Sequence, residues 1–231
     1  MQTVEYGGRR ILEAMHEAVR YSECVYELVK RAKPVGAGTI MEFGAGDGTF
    51  VKRFGKDNVS VDCVEIDPNL RELLRRLGGR VFRDILEVEE ESCDFVYTIN
   101  VLEHIADLES QLHQIRRVLR RGGTFFVFVP AFKILWTSLD DEVDHVTRFT
   151  RANLKSALDL SGFRILRIEY FDSLGFPAAL AVRFLEMLRI FRYSSSSVRF
   201  YDQFIFPLSR CLDKALSPVV GKNLIAVARK S

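Results

Sequence analysis

Apolar side chains at Leu12, Met15, Val19, Tyr26 and Val29 recur at helical spacing, and the pattern stops at Pro34 and the Gly36-Ala37-Gly38 turn. An amphipathic helix over residues 11–29 is the expected element. The period then changes. A short apolar run at 39–43, the cluster Gly44-Ala45-Gly46-Asp47-Gly48 and a helical stretch from Thr49 read as strand, tight turn and helix. Residues 59–66 give a second strand ending in Glu65-Ile66-Asp67-Pro68, 70–77 return to helical spacing, and Val81-Phe82 is a short strand with Asp84 just beyond it. After a fourth strand at 95–100, Leu108, Leu112, Ile115 and Leu119 share one helical face. That face closes at Arg120-Arg121-Gly122-Gly123, a basic end suited to the negative pole of the helix dipole. The fifth strand, 124–129, ends at Pro130. Strand and helix have by then alternated four times, which calls for a parallel sheet covered on both faces. Thr150 caps a predicted helix through residue 160, Gly162 stops it, 164–170 form another strand and 223–229 a last edge strand.

Between the last two strands lies an insertion. Residues 176–192 are nearly all apolar apart from a narrow stripe of Arg183, Glu186 and Arg189, and a Ser194–Ser197 loop leads to a second helical stretch, so residues 174–216 form a helical cap. It is either a hairpin packed on the sheet or a lid and membrane-surface element, since apolar area beside basic residues favours anionic interfaces. Charge sharpens that choice. The chain carries 33 Lys and Arg against 31 Asp and Glu, a balance that argues against a nucleic-acid coat, but residues 171–231 hold nine basic and four acidic side chains. The last quarter therefore suits an anionic partner. With 231 residues, 48% of them hydrophobic, the chain is long enough for one large domain and is not disordered. Cys24, Cys63, Cys93 and Cys211 are far apart with no metal-ligand spacing, so no metal is expected, and free thiols without a leader-like start point to the cytoplasm.

The chemistry concentrates at strand ends. Glycines at 44, 46 and 48 make GxGxG, not the GxGxxG that cradles a pyrophosphate, and let a ligand approach the backbone closely. Glu65, at the tip of the second strand, can accept from both hydroxyls of a ribose. An adenosine-type ligand without a diphosphate is implied. Glu42 either faces the ligand's cationic end or bonds the turn's own N–H groups. Asp84 either accepts from an adenine amine, with Ile85 against the base, or serves a surface turn. Asn100, Val101, Leu102, Glu103 and His104 reach the same carboxyl edge, His104 reading as a structural hydrogen-bonding residue.

EFGAGDGTF, then VEID, then RDI, then DFVYTINVLEHI, then LRRGGTFFVFVP resemble the successive motifs of class I S-adenosylmethionine-dependent methyltransferases over residues 39–130. The RYSECVYELV element and the segment Leu139-Asp140-Asp141-Glu142-Val143-Asp144-His145-Val146-Thr147-Arg148-Phe149-Thr150 are similar to a subgroup often encoded beside or fused to glycosyltransferases. In that subgroup's "LDxxxGHxRRYT" pattern Asp140, His145, Arg148 and Thr150 match, while Asp144 replaces the glycine, Thr147 the first arginine and Phe149 the tyrosine. The resemblance implies an α/β fold: a Rossmann-like seven-stranded sheet with helices on both faces and the last strand antiparallel, in a single domain over 1–231. Within it, 1–38 would be an N-terminal helical segment, 39–130 the cofactor core and 131–231 the acceptor side with the cap. It implies S-adenosyl-L-methionine as cofactor and S-adenosyl-L-homocysteine as product. Glu42, Gly44, Ala45, Gly46 and Gly48 would line the methionine side, Glu65 and Ile66 the ribose, Asp84 and Ile85 the adenine, and Asn100 and Val101 the methionine moiety. Tyr21 would close over the carboxylate or serve as a core aromatic.

Methyl transfer is an in-line displacement for which the protein supplies alignment and dryness. A hydroxyl or amine acceptor must also lose a proton. His145 is the candidate base, with Asp144 or Asp140 orienting its ring and Arg148 holding an anionic acceptor; alternatively Asp140, His145 and Arg148 pin the loop. A small-molecule, glycan-precursor or lipid-linked acceptor, a glycosyltransferase partner in the same pathway and peripheral contact with the inner membrane face are the expected surroundings. Nucleic-acid bases are disfavoured by Asn100-Val101-Leu102-Glu103 where a D/N-P-P-Y/F element would stand. The rival classes are a non-catalytic nucleoside-binding protein, an aminopropyltransferase-like enzyme and an NAD-dependent enzyme.

Overall fold

The computed structural model describes residues 16–190 and 194–231. The N-terminal helix is seen as α1 (Val19–Ala32); its expected start at residue 11, with Leu12 and Met15, lies outside the described residues. Then follow β1 (Ile40–Phe43), α2 (Thr49–Lys56), β2 (Asp62–Val64), α3 (Pro68–Arg75), β3 (Val81–Phe82), β4 (Cys93–Ile99), α4 (Leu108–Val118) and β5 (Leu119–Pro130). The second half holds α5 (Ser138–Glu142), α6 (Arg151–Leu160), β6 (Phe163–Phe171), α7 (Gly175–Met187), α8 (Ser195–Phe200), a π-helical turn (Tyr201–Ile205), α9 (Phe206–Leu216) and β7 (Asn223–Lys230).

The sheet order is β3-β2-β1-β4-β5-β7-β6. Strands β1 to β5 pair in parallel, and β7 runs antiparallel to both β5 and β6, as expected of the last strand. Alternation along the central strands divides the core in two. Phe125, Val127 and Val129 face α4 and α6 through Leu112, Ile115, Leu154 and Leu158, whereas Phe126 and Phe128 join Phe95, Tyr97, Val25, Val29 and Phe54 on the other side. Helix starts follow their side chains: Asp67 accepts from the N–H groups of Asn69 and Leu70 with Pro68 in the first turn, and Asp107 accepts from Ser110 N–H.

Strand β5 starts earlier than expected, because Leu119 pairs with Cys93 and the basic-glycine stretch runs on as extended chain; β2 is shorter than its apolar run. The cap is helical and is pinned from both sides. Two members of its polar stripe tie it to the segment after β5: Arg183 donates to the Ile134 carbonyl, and Glu186 accepts from Ser138 N–H and Oγ at 3.1 and 2.9 Å. From the π-turn, buried Asp202 accepts from Arg20 N–H and Tyr21 N–H at 3.0 and 2.8 Å, satisfying the start of α1. Cap and N-terminal helix thus meet over the carboxyl edge of the sheet.

Candidate active site

Under that bridge, at the ends of β1, β2, β4 and β5, lies a cavity of about 2270 Å³ among the described residues. A single small ligand fills roughly 300–1,000 Å³. Two ligands fit side by side.

One end is the β1–α2 turn. Gly44 and Ala45 donate to the Val64 carbonyl, Gly48 N–H to Ala45 O, and Gly46 N–H to Glu65 Oε2 at 2.8 Å. Four turn donors are thereby spent internally, and the surrounding side chains Glu42, Asp47 and Glu65 are all carboxylates. Such a turn repels a diphosphate and suits an uncharged ribose beside a cationic head, the opposite of a phosphate cradle. Glu65 also accepts from Asp67 N–H at 2.9 Å, so its carboxylate locks the turn to the β2 tip. Glu42 is buried and accepts from Tyr97 Oη at 2.9 Å, not from the turn. Burial drives the Glu42 carboxyl well above the ordinary range, the Tyr97 bond opposing it. Gly46 adopts φ +53° with open space where a side chain would be, leaving the cavity wall clear.

The other end joins two loops. Val146 and Thr147 N–H donate to the Glu103 carbonyl, stitching the segment after α5 to the turn after β4. His145 Nδ1 lies 2.7 Å from Asp140 Oδ1, and Arg148 grips both oxygens of Asp140 at 2.7 and 3.0 Å while donating to the Ala131 carbonyl. Burial pushes the Asp140 carboxyl up, but bonds from His145 and Arg148 outweigh it and hold it far below the usual carboxylate range. Asp140, therefore, orients the ring; Asp144 is exposed at φ +57°, a left-handed position that accounts for glycine in the related pattern. His145 Nε2 faces the cavity 3.8 Å from Glu103 Oε1. Glu103 is fully buried with no hydrogen-bond partner for either oxygen among the described residues, and burial raises its carboxyl to about 8. His104 packs edge-on to His145 at 4.6 Å between ring centroids; burial and that neighbour lower its pKa.

Of the residues singled out in the sequence, Tyr21, Glu42, Gly44, Ala45, Gly46, Glu65, Ile66, Asn100, Val101, Asp144, His145 and Arg148 line this cavity. Gly48, Asp84 and Ile85 do not. Gly48 makes room for Leu74 and Leu77, Ile85 is buried in the core, and Asp84 accepts from Leu86 N–H, the surface-turn role. Tyr21 takes the core-aromatic setting: it packs against Phe128, Phe171 and Phe206, and its hydroxyl donates to Asn223 Oδ1 at 2.7 Å on the cavity wall. Sequence reasoning missed Glu103, whose only signal was its place beside His104 after the fourth strand.

Comparison with known proteins agrees with this geometry. The family profile described as a methyltransferase domain matches residues 14–168. An uncharacterized protein of Methanocaldococcus jannaschii is 27% identical over 154 residues, covering 65% of this chain and 69% of that one. The mitochondrial ubiquinone biosynthesis O-methyltransferase of Homo sapiens is 30% identical over 108 residues, 41% of this chain and 29% of that protein. Among solved structures, an S-adenosylmethionine-dependent methyltransferase of Thermotoga maritima superposes with a TM-score of 0.66 at 15% identity, over 96% of this chain and 95% of that chain.

Proposed function

This chain belongs to the S-adenosylmethionine-dependent methyltransferases, and from that premise we propose that it methylates an oxygen or nitrogen of an amphipathic acceptor, a lipid-linked glycan precursor met at an anionic membrane surface. The observation carrying this reading is the outer face of the cap. Phe184, Met187, Ile190, Phe204 and Leu208 are each more than half exposed. Exposed apolar side chains in such numbers mark an interaction site. The acids of the cap are turned inward: Glu186 binds Ser138, Asp202 the start of α1, and Asp213 the Ser173 N–H and Arg210. Arg189, next to Ile190 in the chain, is exposed, which puts a positive charge beside the apolar side chains. Inner residues of the same helices, Ala178, Ala179, Val182 and Ile205, wall the acceptor half of the cavity, so an acceptor anchored in the membrane enters beside them.

The residues present fit the cofactor, the acidic turn and the open space at Gly46 suiting a nucleoside with a cationic head. When bound, S-adenosylmethionine supplies a methyl group activated on a sulfonium. Glu65 and the turn hold the ribose, Glu42 the cationic head, and Asn100 and Val101 border the methionine moiety. His145, oriented by Asp140, presents Nε2 to take the acceptor's proton, and Arg148 sets the field around it.

Four measurements test this. Calorimetry should show S-adenosylhomocysteine binding and no NAD binding; the reverse overturns the reading. Incubation with methyl-labelled donor and fractionated extract should label the lipid phase, and the protein should float with anionic vesicles but not neutral ones. Phe204→Ser with Leu208→Ser should abolish flotation and spare S-adenosylhomocysteine binding. Label confined to water-soluble products, with no vesicle binding, would remove the lipid-linked acceptor. His145→Ala should cut turnover by about 10²–10⁴-fold with S-adenosylhomocysteine affinity unchanged.

A further inference from the structure

We propose that Glu103, His104 and His145 form a binding site for one divalent transition-metal ion on the acceptor side of the cavity. One ligand atom from each lies within 4.8 Å of the others, and Glu103 Oε1 is 3.8 Å from His145 Nε2. Metal–ligand bonds of about 2.0–2.2 Å bring such atoms to roughly 3–4 Å from one another, so small side-chain shifts complete the set.

Three further features make this more than a cluster. Glu103 buries both carboxylate oxygens without a hydrogen-bond partner among the described residues, a cost that a native fold normally avoids unless something else satisfies the group. One histidine is held from behind. His145 Nδ1 sits on Asp140, which two bonds from Arg148 fix in turn, and the His104 ring packs edge-on against His145 at 4.6 Å between centroids. A carboxylate or carbonyl on the far ring nitrogen is how metal-binding imidazoles are oriented. Finally, all three residues line the cavity, leaving a coordination position open toward a ligand.

The donor set selects the ion. Two imidazoles and one carboxylate suit zinc and its first-row neighbours in sites that keep an open position, and suit calcium or magnesium poorly. Glu103 and Asp140 as anions against Arg148 leave the corner one negative charge, which a divalent ion turns into one positive charge. That corner then attracts an oxygen acceptor. With the ion bound, Nε2 of His145 would be a ligand in place of its role as base, and the ion would polarise an acceptor oxygen at the open position and ease loss of its proton to solvent. Oxygen then bonds to the methyl carbon as the sulfur–methyl bond breaks, its electron pair staying on sulfur. The use of the ion rests on the methyl-transfer reading; its binding does not.

The test uses the full-length chain stripped with chelator. Titration with Zn²⁺ should show one equivalent bound, and Co²⁺ should give the visible absorption of a four- or five-coordinate N,O site. Glu103→Gln and His145→Asn should each weaken Zn²⁺ by at least about 100-fold, and Asp140→Asn by about 10–100-fold. His113→Gln and Cys211→Ser, remote from the cluster, should change nothing. Absence of binding to the wild-type chain, or binding that survives Glu103→Gln and His145→Asn, overturns the proposal. S-adenosylhomocysteine binding is measured on the same samples. If it persists without any metal uptake, the metal site alone is lost; if it is absent too, the methyltransferase reading fails with it.

Discussion

Gly44 is where the cofactor turn meets the end of β4, and replacing it with alanine isolates what that contact is worth. Its φ is +77°, and a Cβ there would come within 2.4 Å of Val101 Cγ2 and 2.9 Å of Val101 Cγ1. Alanine in the left-handed region costs about 1–2 kcal/mol. Forcing a methyl into occupied space costs a further ~1–3 kcal/mol. Gly44→Ala should therefore destabilise by about 2–5 kcal/mol, lowering Tm by about 2–4 °C for each kcal/mol in a chain of this size. Val101→Ala alone, at a half-buried position, should cost about 1 kcal/mol. In the double variant both offending methyls are gone and only Val101 Cβ remains, at 3.2 Å. The steric part disappears, and the backbone part stays. Urea melts of the four proteins then give a coupling of about 1–3 kcal/mol in favour of the double variant. Additive losses to within about 0.5 kcal/mol would refute the steric account and place the whole cost in the backbone.

Other parts of the frame yield shorter tests. Glu65→Gln removes the charge from bonds to Gly46 and Asp67 N–H, and calorimetry should show S-adenosylhomocysteine bound at least about tenfold more weakly; unchanged affinity would release Glu65 from the ribose. Asp202→Ala unties the start of α1 from the cap and should cost about 0.5–2 kcal/mol in thermal melts; no loss would mean that the bridge over the cavity is held elsewhere. For Asp94, burial raises the carboxyl, but bonds from Thr39 and Gly38 N–H and from Arg120 hold it below its ordinary value. A depressed folded pKa gives stability that is present above the unfolded value of about 3.9 and lost as pH falls through the folded one. The stability gap between wild type and Asp94→Asn should thus be constant at neutral pH and close in acid below about pH 4. A gap that persists there would exclude the charge as its source.

What the sequence made legible follows from range. The strand–turn–helix alternation, the glycine turn and Glu65 are local patterns, and local periodicity carries them. Asp84 stayed open between an adenine and a surface turn because a short strand does not say which way the chain turns after it; in the structure the carboxylate caps the next turn, and Ile85 is buried in the core. Glu103 was legible at the carboxyl edge but without a role, for a different reason. One acid after a strand has no pattern, and its burial exists only because the segment carrying Val146 and Thr147 bonds to its carbonyl from more than forty positions away. Choosing Asp140 over Asp144 likewise needed the fold, since both stand near His145 in the chain but only one turns back to its ring.

The two halves of the cavity constrain how rate can arise here. Asp47 and Glu65 put two carboxylates around the cofactor turn, and negative charge beside a sulfonium favours the bound reactant, because positive charge leaves sulfur as the methyl moves. On the proposed reading those groups contribute affinity and orientation, and any acceleration they gave through the sulfur would have the wrong sign. Acceleration must come from the opposite wall. There Val101 fixes the β4 end against Gly44, the cap and α1 close over the site through Asp202, and the Glu103–His145 corner addresses the nucleophile. Substitutions at the turn should accordingly move KM for the donor, whereas those at the corner should move kcat, and a variant of Glu65 that lowered kcat at saturating donor would contradict this division.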